Sequence, residues 1–280
     1  MTAATTTRPG LRRQGPLDVL AWPSLDALDL DALVTTRHGG VSAGGYTSLN
    51  LALHVGDEAA AVLENRRRVA AALGVDLGDF VFCEQSHGSH VTTVTAADRG
   101  RGTLRRADAI GQTDAVVTRD PGAVLVVLVA DCVPIILVDP DAQVLGCVHA
   151  GWRGTVAGVT GAALHAMRSL GARPERMLAA VGPAVAADRY RVGADVAAAA
   201  DRYFGGNLDG IMRADGPGWW LFDLPAANRR ILRESGMPDR QIIDSGLATG
   251  GVDGLFFSDR EDRPCGRFAA VARLRPREDG

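Results

Sequence analysis

The chain has 280 residues, 46% of them hydrophobic and 22% charged, and a formal net charge of -3 at pH 7. This composition allows a sizeable core, and it lacks the clustered positive charge that neutralises nucleic-acid phosphates, so nucleic acid is not an expected partner. All 30 basic residues are arginine, which excludes the phosphate-loop lysine, the lysine Schiff base of pyridoxal enzymes and the kinase strand lysine, each of which needs an ε-amine.

Taken in chain order, Met1–Gln14 is polar and short of large apolar residues, and Gly15 and Pro16 follow it; it reads as a disordered arm. From residue 15 to residue 280 neither a long linker nor an internal repeat stands out, so a single domain is expected. Asp57–Leu73 reads as a helix that opens on a capping aspartate and stops at Gly74. Three more helices are expected over Thr155–Leu170, Ala194–Phe204 and Pro225–Ser235. Short apolar or alternating runs read as strands at Leu33–Thr36, Phe80–Cys83, His90–Val94, Ala115–Thr118, Ala123–Ala130, Pro134–Val138, Val144–His149, Leu178–Val181 and Ala269–Leu274. Because strands and helices intersperse without a regular βαβ rhythm, the expected class is α/β or α+β with a mixed sheet.

The run AVLVVLVADCVPIILVD, from Ala123 to Asp139, is broken by Asp131 and Pro134, so it reads as two buried strands and not as a membrane span. Cys83, Cys132, Cys147 and Cys265 are scattered, and no apolar signal core lies between Met1 and Pro16. A cytoplasmic protein with reduced thiols and no membrane association is expected.

Four segments concentrate polar chemistry next to strands: Thr35–Leu51 (TTRHGGVSAGGYTSLNL), Glu84–Val91 (EQSHGSHV), Ala130–Pro134 (ADCVP) and His149–Gly154 (HAGWRG). Together they offer His87, Cys132 and His149 as three ligands for a metal with one open position. The spacing carries no CxxC or HxxxH signature. Cys132 also reads as a small buried hydrophobe, His87 as a loop residue, and His90 competes with it as a ligand. Cys147, between Leu145 and Val148, reads as core. Arg153, beside a helix expected to open at Thr155, is suited to an anion such as phosphate. Trp152 reads either as packing under the loop or as a platform for a purine, with packing preferred.

The segments TTRHGGVSAGGYTSLNL, HVGDEAAAVLENRRR, QSHG, ADCVP and HAGWRG resemble, in that order, the laccase-domain family. That family is also called multicopper polyphenol oxidase or peptidoglycan editing factor, and its members are described as purine nucleoside phosphorylases with adenosine deaminase activity. The resemblance runs from about Val34 to Leu274. It implies a single domain of α/β/β/α layers with mixed sheets, like the cysteine-hydrolase-like toxin catalytic fold. It implies zinc, with copper as an in vitro substitute, held by His87, Cys132 and His149, and so prefers His87 to His90. It places Arg66 of ENRRR at the nucleoside site and Asn50 of SLNL in another family motif. Cysteines that members often carry near the C-terminus are missing: Gly182–Gly193 and Ser245–Gly250 have none, and the last motif reads FFSDR.

Several chemistries compete on these residues. Oxidase chemistry is disfavoured by counting, since only His38, His54, His90 and His165 remain for further coppers. The preferred reading is zinc-dependent phosphorolysis of adenosine, inosine and methylthioadenosine, with phosphate held by Arg66, Arg153 or Arg37. Adenosine deamination accompanies it, with Asp131 as proton carrier. A second reading is a hydrolase or transferase that edits peptidoglycan precursors, with Cys132 as nucleophile and His149 as base. A third is a non-catalytic zinc-stabilised scaffold, which requires a fourth ligand. The oligomeric state is left open.

Overall fold

The computed structural model describes residues 8–251 and 254–276. Strands β1 (Gly10–Gln14), β2 (Leu17–Ala21) and β3 (Leu30–Thr35) come first, with the short helix α1 (Pro23–Asp26) between the last two. After α2 (Ala59–Leu73) follow β4 (Phe80–Val81), β5 (Val91–Val94), β6 (Ala115–Thr118), β7 (Val124–Val129), β8 (Val133–Asp139) and β9 (Val144–Ala150). Next are α3 (Trp152–Val156), α4 (Val159–Ser169), β10 (Leu178–Val181), β11 (Arg191–Gly193) and α5 (Ala194–Tyr203). The chain ends through β12 (Met212–Ala214), β13 (Trp219–Phe222), α6 (Leu224–Glu234), β14 (Ile242–Asp244) and β15 (Phe268–Leu274).

Two six-stranded sheets carry the fold, one ordered β1-β2-β3-β15-β7-β4 and the other β14-β10-β8-β9-β6-β5. Both are mixed: β4 runs parallel to β7 while β15 is antiparallel to it, and β5 runs parallel to β6 while β9 is antiparallel to it. The strongly apolar strands follow from this layering. In β7, Leu125, Val127 and Val129 face the core between the sheets, while Val124, Val126 and Leu128 face the core that also takes Val69 and Leu73 of α2. In β8, Ile136 and Val138 join the same inner core, while Ile135 and Leu137 pack with Leu164 and Met167 of α4 and Ile231 of α6. Side chains alternate across a strand, so a strand covered on both faces is apolar at every position. The layers are therefore helix, sheet, sheet, helix, as expected. Cys147 is fully buried in the inner core.

Three expectations are corrected. Gly10–Gln14 is not part of a disordered arm, because it pairs residue by residue with Leu17–Ala21; residues 1–7 lie outside the described residues. The helix expected over Thr155–Leu170 is two helices, divided at Gly158, whose left-handed φ of 86° interrupts the α-helical hydrogen bonding. Asp57 does not cap α2. Its Oδ2 instead accepts from the Ser42 hydroxyl and the Asn50 amide, which ties the preceding loop together. The strands β11, β12 and β13 form a small third sheet that short, mixed-polarity segments did not announce.

No helix among the described residues is long and apolar enough to cross a membrane.

Candidate active site

Two chain crossings between the sheets build the site. Ala130–Asp131–Cys132 carries the backbone from β7 in one sheet to β8 in the other, and Asp131 takes a left-handed φ of 83° to make so short a passage. Glu84–His90 makes the second crossing, from β4 to β5, with His87 at φ 60°. Non-glycine residues rarely adopt such angles, and those that do are held there by their surroundings. At His87 the holding group is Asp114, whose carboxylate accepts from the backbone N–H groups of His87 at 2.9 Å and Gly88 at 2.7 Å and from the Ser86 hydroxyl at 3.0 Å. His149 comes from β9, where it lies opposite Pro134 of β8.

These elements converge three side chains. The ligand atoms of His87, Cys132 and His149 all lie within 4.8 Å of one another, and among the described residues no other histidine, cysteine or carboxylate joins them. The two imidazoles meet edge to face, with centroids 4.7 Å apart. His149 is buried, Cys132 half-buried and His87 exposed. His149 Nδ1 lies 2.8 Å from Asp114 Oδ1, so the carboxylate fixes the ring and leaves Nε2 for the site. Asp114 has a pKa of about 2: burial opposes ionisation, but the bond and charge of His149 and the donors at Gly88 and Ser86 outweigh it.

The thiol and imidazole are tightly coupled. Burial disfavours the Cys132 thiolate, yet the charge of His149 and hydrogen bonds from both histidines bring its pKa down from the usual thiol value. Burial likewise disfavours charge on His149, and the neighbouring thiolate and Asp114 raise its pKa above the usual value. A soft thiolate with two imidazoles is a zinc-type donor set, and ligand atoms this close need only small closure around an ion. The neighbouring backbone is equally specific: a Cβ on Gly151 would lie 2.8 Å from Cys132 Sγ and 3.0 Å from His87 Cδ2. Only glycine lets the chain leave β9 past the cluster.

A cavity of about 470 Å³ opens over the three side chains. Its lining includes the apolar side chains of Leu53, Phe82 and Leu128 and six arginines: Arg66, Arg106, Arg153, Arg260, Arg263 and Arg267. Of the residues expected at the site, His87, Cys132, His149, Asp131, Arg66 and Arg153 line this cavity, whereas Asn50 and Arg37 do not. Asn50 is buried and spends its amide on Ala52, Asp57 and the Arg267 N–H; Arg37 donates to the Thr47 carbonyl and stacks on Phe257. These two residues hold the Thr35–Leu51 loop in shape. Asn65 of α2 does the same, bonding Val41, Ser42, Ser48 and Asn50.

Arg66 lines the cavity, but its guanidinium already donates to the carbonyls of Leu51, Gly102 and Thr103 and lies 3.7 Å over the Phe82 ring. Desolvation brings its pKa down to about 9. Asp131 accepts from the Thr249 hydroxyl and the Arg260 N–H. Arg153 does not precede a helix opening at Thr155; α3 opens at Trp152, and Arg153 lies 4.3 Å over the Trp152 ring. Trp152 both packs against the outer core and lines the cavity. His90 is exposed, and its backbone carbonyl accepts from Asp114 and Ala115.

Sequence reasoning missed Asp114, His54, Tyr190 and the loop 259–267, which brings Arg260, Arg263 and Arg267 to the cavity. The one available signal for Asp114 was a carboxylate set directly before an all-apolar strand.

The family model described as multi-copper polyphenol oxidoreductase laccase matches residues 31–275. The purine nucleoside phosphorylase YlmD of Geobacillus stearothermophilus is 38% identical over 231 residues, 82% of this chain and 84% of the relative. Its crystal structure superposes with a TM-score of 0.90 at 36% identity, covering 95% of this chain and 99% of that one. A purine nucleoside phosphorylase of Deinococcus radiodurans is 41% identical over 255 residues, 88% of this chain and 89% of the relative. Adenosine deaminase RL5, from an unknown prokaryotic organism, is 37% identical over 231 residues, 82% of this chain and 88% of the relative.

Proposed function

The chain belongs to the multi-copper polyphenol oxidoreductase laccase family, and from that premise we propose that it is a zinc-dependent purine nucleoside phosphorylase that also deaminates adenosine. Its proposed substrates are adenosine, inosine and methylthioadenosine with inorganic phosphate. The observation that carries this reading is the His87–Cys132–His149 cluster at the floor of a cavity large enough for a nucleoside, with no fourth protein ligand among the described residues. An open position favours catalysis over the scaffold reading. Oxidase chemistry lacks ligands: His38, His54, His90 and His165 form no second metal-binding group among the described residues.

His87, Cys132 and His149 would hold the zinc, which would supply a Lewis acid beside the substrate. The chain does the rest. Asp114 holds His149 in one tautomer and keeps the His87 turn in place. The apolar lining residues Leu53, Phe82 and Leu128 receive the purine, while the arginines attract the anionic co-substrate. In phosphorolysis a phosphate oxygen bonds to C1′ as the bond from C1′ to N9 breaks. The bonding pair leaves on the purine, which takes the proton that hydrogen phosphate carried. In deamination water replaces the C6 amine, with Asp131 beside the cluster as the proton carrier.

The test is turnover of adenosine by metal-replete protein, chelator-stripped protein and Cys132→Ser. Stripping and substitution are each expected to abolish turnover, and zinc to restore only the stripped wild type. Full activity in the Cys132→Ser protein contradicts the reading.

One observation favours a second reading. Cys132, His149 and Asp114 stand in the order thiol, imidazole and carboxylate, the arrangement of a cysteine hydrolase. Such an enzyme would act on peptidoglycan precursors without metal, and chelation would raise its activity by freeing the thiolate.

A further inference from the structure

Six arginines line the cavity, and four of them are already committed. Arg66 is bonded to three backbone carbonyls, Arg106 pairs with Glu84 at 2.8 Å, and Arg263 and Arg267 share Asp259 at 2.7 and 2.8 Å. Two remain. Arg153 has no carboxylate partner and no side-chain hydrogen bond among the described residues, and the Arg260 guanidinium has only the Arg191 carbonyl as a hydrogen-bond partner among them. Each lies over an aromatic ring, Arg153 over Trp152 at 4.3 Å and Arg260 over Tyr190 at 5.3 Å.

Stacking occupies the flat face of a guanidinium and leaves its N–H edge available, which is the edge that recognises phosphate oxygens in a fork. The two arginines also belong to one corner of the cavity. The Arg260 backbone N–H donates to Asp131, the neighbour of Cys132, and its guanidinium lies over Tyr190, while Arg153 follows two residues after Gly151, which packs against Cys132 and His87. Both residues therefore stand at the Cys132 end of the cavity.

We propose that Arg153 and Arg260, with Tyr190 beneath Arg260, form the subsite for inorganic phosphate beside the His87–Cys132–His149 cluster. This rests on the phosphorylase reading and deepens it: of the arginines considered from the sequence, Arg37 lies outside the cavity and Arg66 is saturated by backbone, so the structure assigns the role to Arg153 and to a residue of the C-terminal FFSDR segment. Placing phosphate there sets it next to the reacting centre.

The experiment uses inorganic phosphate as its own probe. Its phosphorus NMR line width is followed on adding metal-replete protein without nucleoside, and phosphorolysis is run with phosphate and nucleoside varied in turn. Losing one charge-assisted contact in Arg153→Gln or Arg260→Gln is expected to raise the phosphate KM by about tenfold or more, with the nucleoside KM changing far less. Arg260→Lys, which keeps the charge without the fork, is expected to fall between. The wild type broadens the phosphate line and the double glutamine variant does not. An unchanged phosphate KM in both single variants overturns the subsite, as does equal broadening by wild type and double variant. If the wild type yields no phosphate-dependent product from any purine nucleoside, the phosphorylase reading falls, while the line width still decides whether this corner binds phosphate.

Discussion

Asp114 Oδ1 lies 2.8 Å from His149 Nδ1, and the same carboxylate accepts the backbone N–H groups that set the turn of His87. One buried side chain thereby orients two of the three candidate ligands. Asp114→Asn keeps the shape but removes the charge and offers an amide donor where an acceptor is needed. Zinc affinity, read by competition against a chromophoric chelator, is expected to fall about 10- to 100-fold. An affinity equal to wild type would show that the ligands hold themselves in place.

Gly151 leaves no room for a side chain beside the cluster. Its φ of -76° suits any residue, so the backbone itself tolerates a side chain, but an added methyl meets Cys132 Sγ and His87. Gly151→Ala is expected to fold, with a circular dichroism spectrum matching wild type, and to lose metal stoichiometry and turnover. A fully metallated, active alanine variant contradicts the described packing.

Arg66 is a structural cation more than a free substrate contact. Replacing it by methionine strands the carbonyls of Leu51, Gly102 and Thr103 in a buried setting, at a cost of about 1–3 kcal/mol for each unsatisfied group. Urea unfolding of Arg66→Met is expected to show a loss of at least about 3 kcal/mol. A variant with wild-type stability and only a raised nucleoside KM would return Arg66 to the role the family resemblance implies.

His54 gives a pH signature. Partial desolvation, then the charges of Arg267, Arg106 and Arg66, lower its pKa from 6.5 to about 4. Between these values the unfolded chain binds a proton that the folded chain refuses, so stability falls as pH drops from about 6.5 to about 4. His54→Asn is expected to flatten that part of the melting temperature against pH curve. An identical slope in the variant would mean that His54 titrates normally.

The layers were legible in the sequence for definite reasons, and the three side chains that converge were all candidates there, with His87 preferred to His90 only through the family resemblance. Strands buried on both faces, such as Val124–Val129 and Val133–Asp139, read as apolar runs; ADCVP joins these two, and HAGWRG ends the next strand, Val144–Ala150. What escaped depended on partners far along the chain. The pairing of Gly10–Gln14 depends on a polar, exposed edge strand with no hydrophobic pattern. Asp114 is separated from His149 by 35 residues and looks like any strand-initiating aspartate until β6 and β9 pair. Asn50 and Arg37 belong to a motif whose residues bond one another, so their presence signals a loop shape, not a ligand. The break at Gly158 was hidden because an isolated glycine is tolerated within helices as often as it divides them.

The most direct test of the account is the product analysis of adenosine incubated with the metal-replete protein, with and without phosphate, beside Cys132→Ala. Phosphate-dependent adenine with an equal amount of ribose 1-phosphate, and inosine in either condition, are the predicted products, all missing from the variant. Absence of any phosphate-dependent base release from the wild type would contradict the account and direct attention to the thiol chemistry of Cys132.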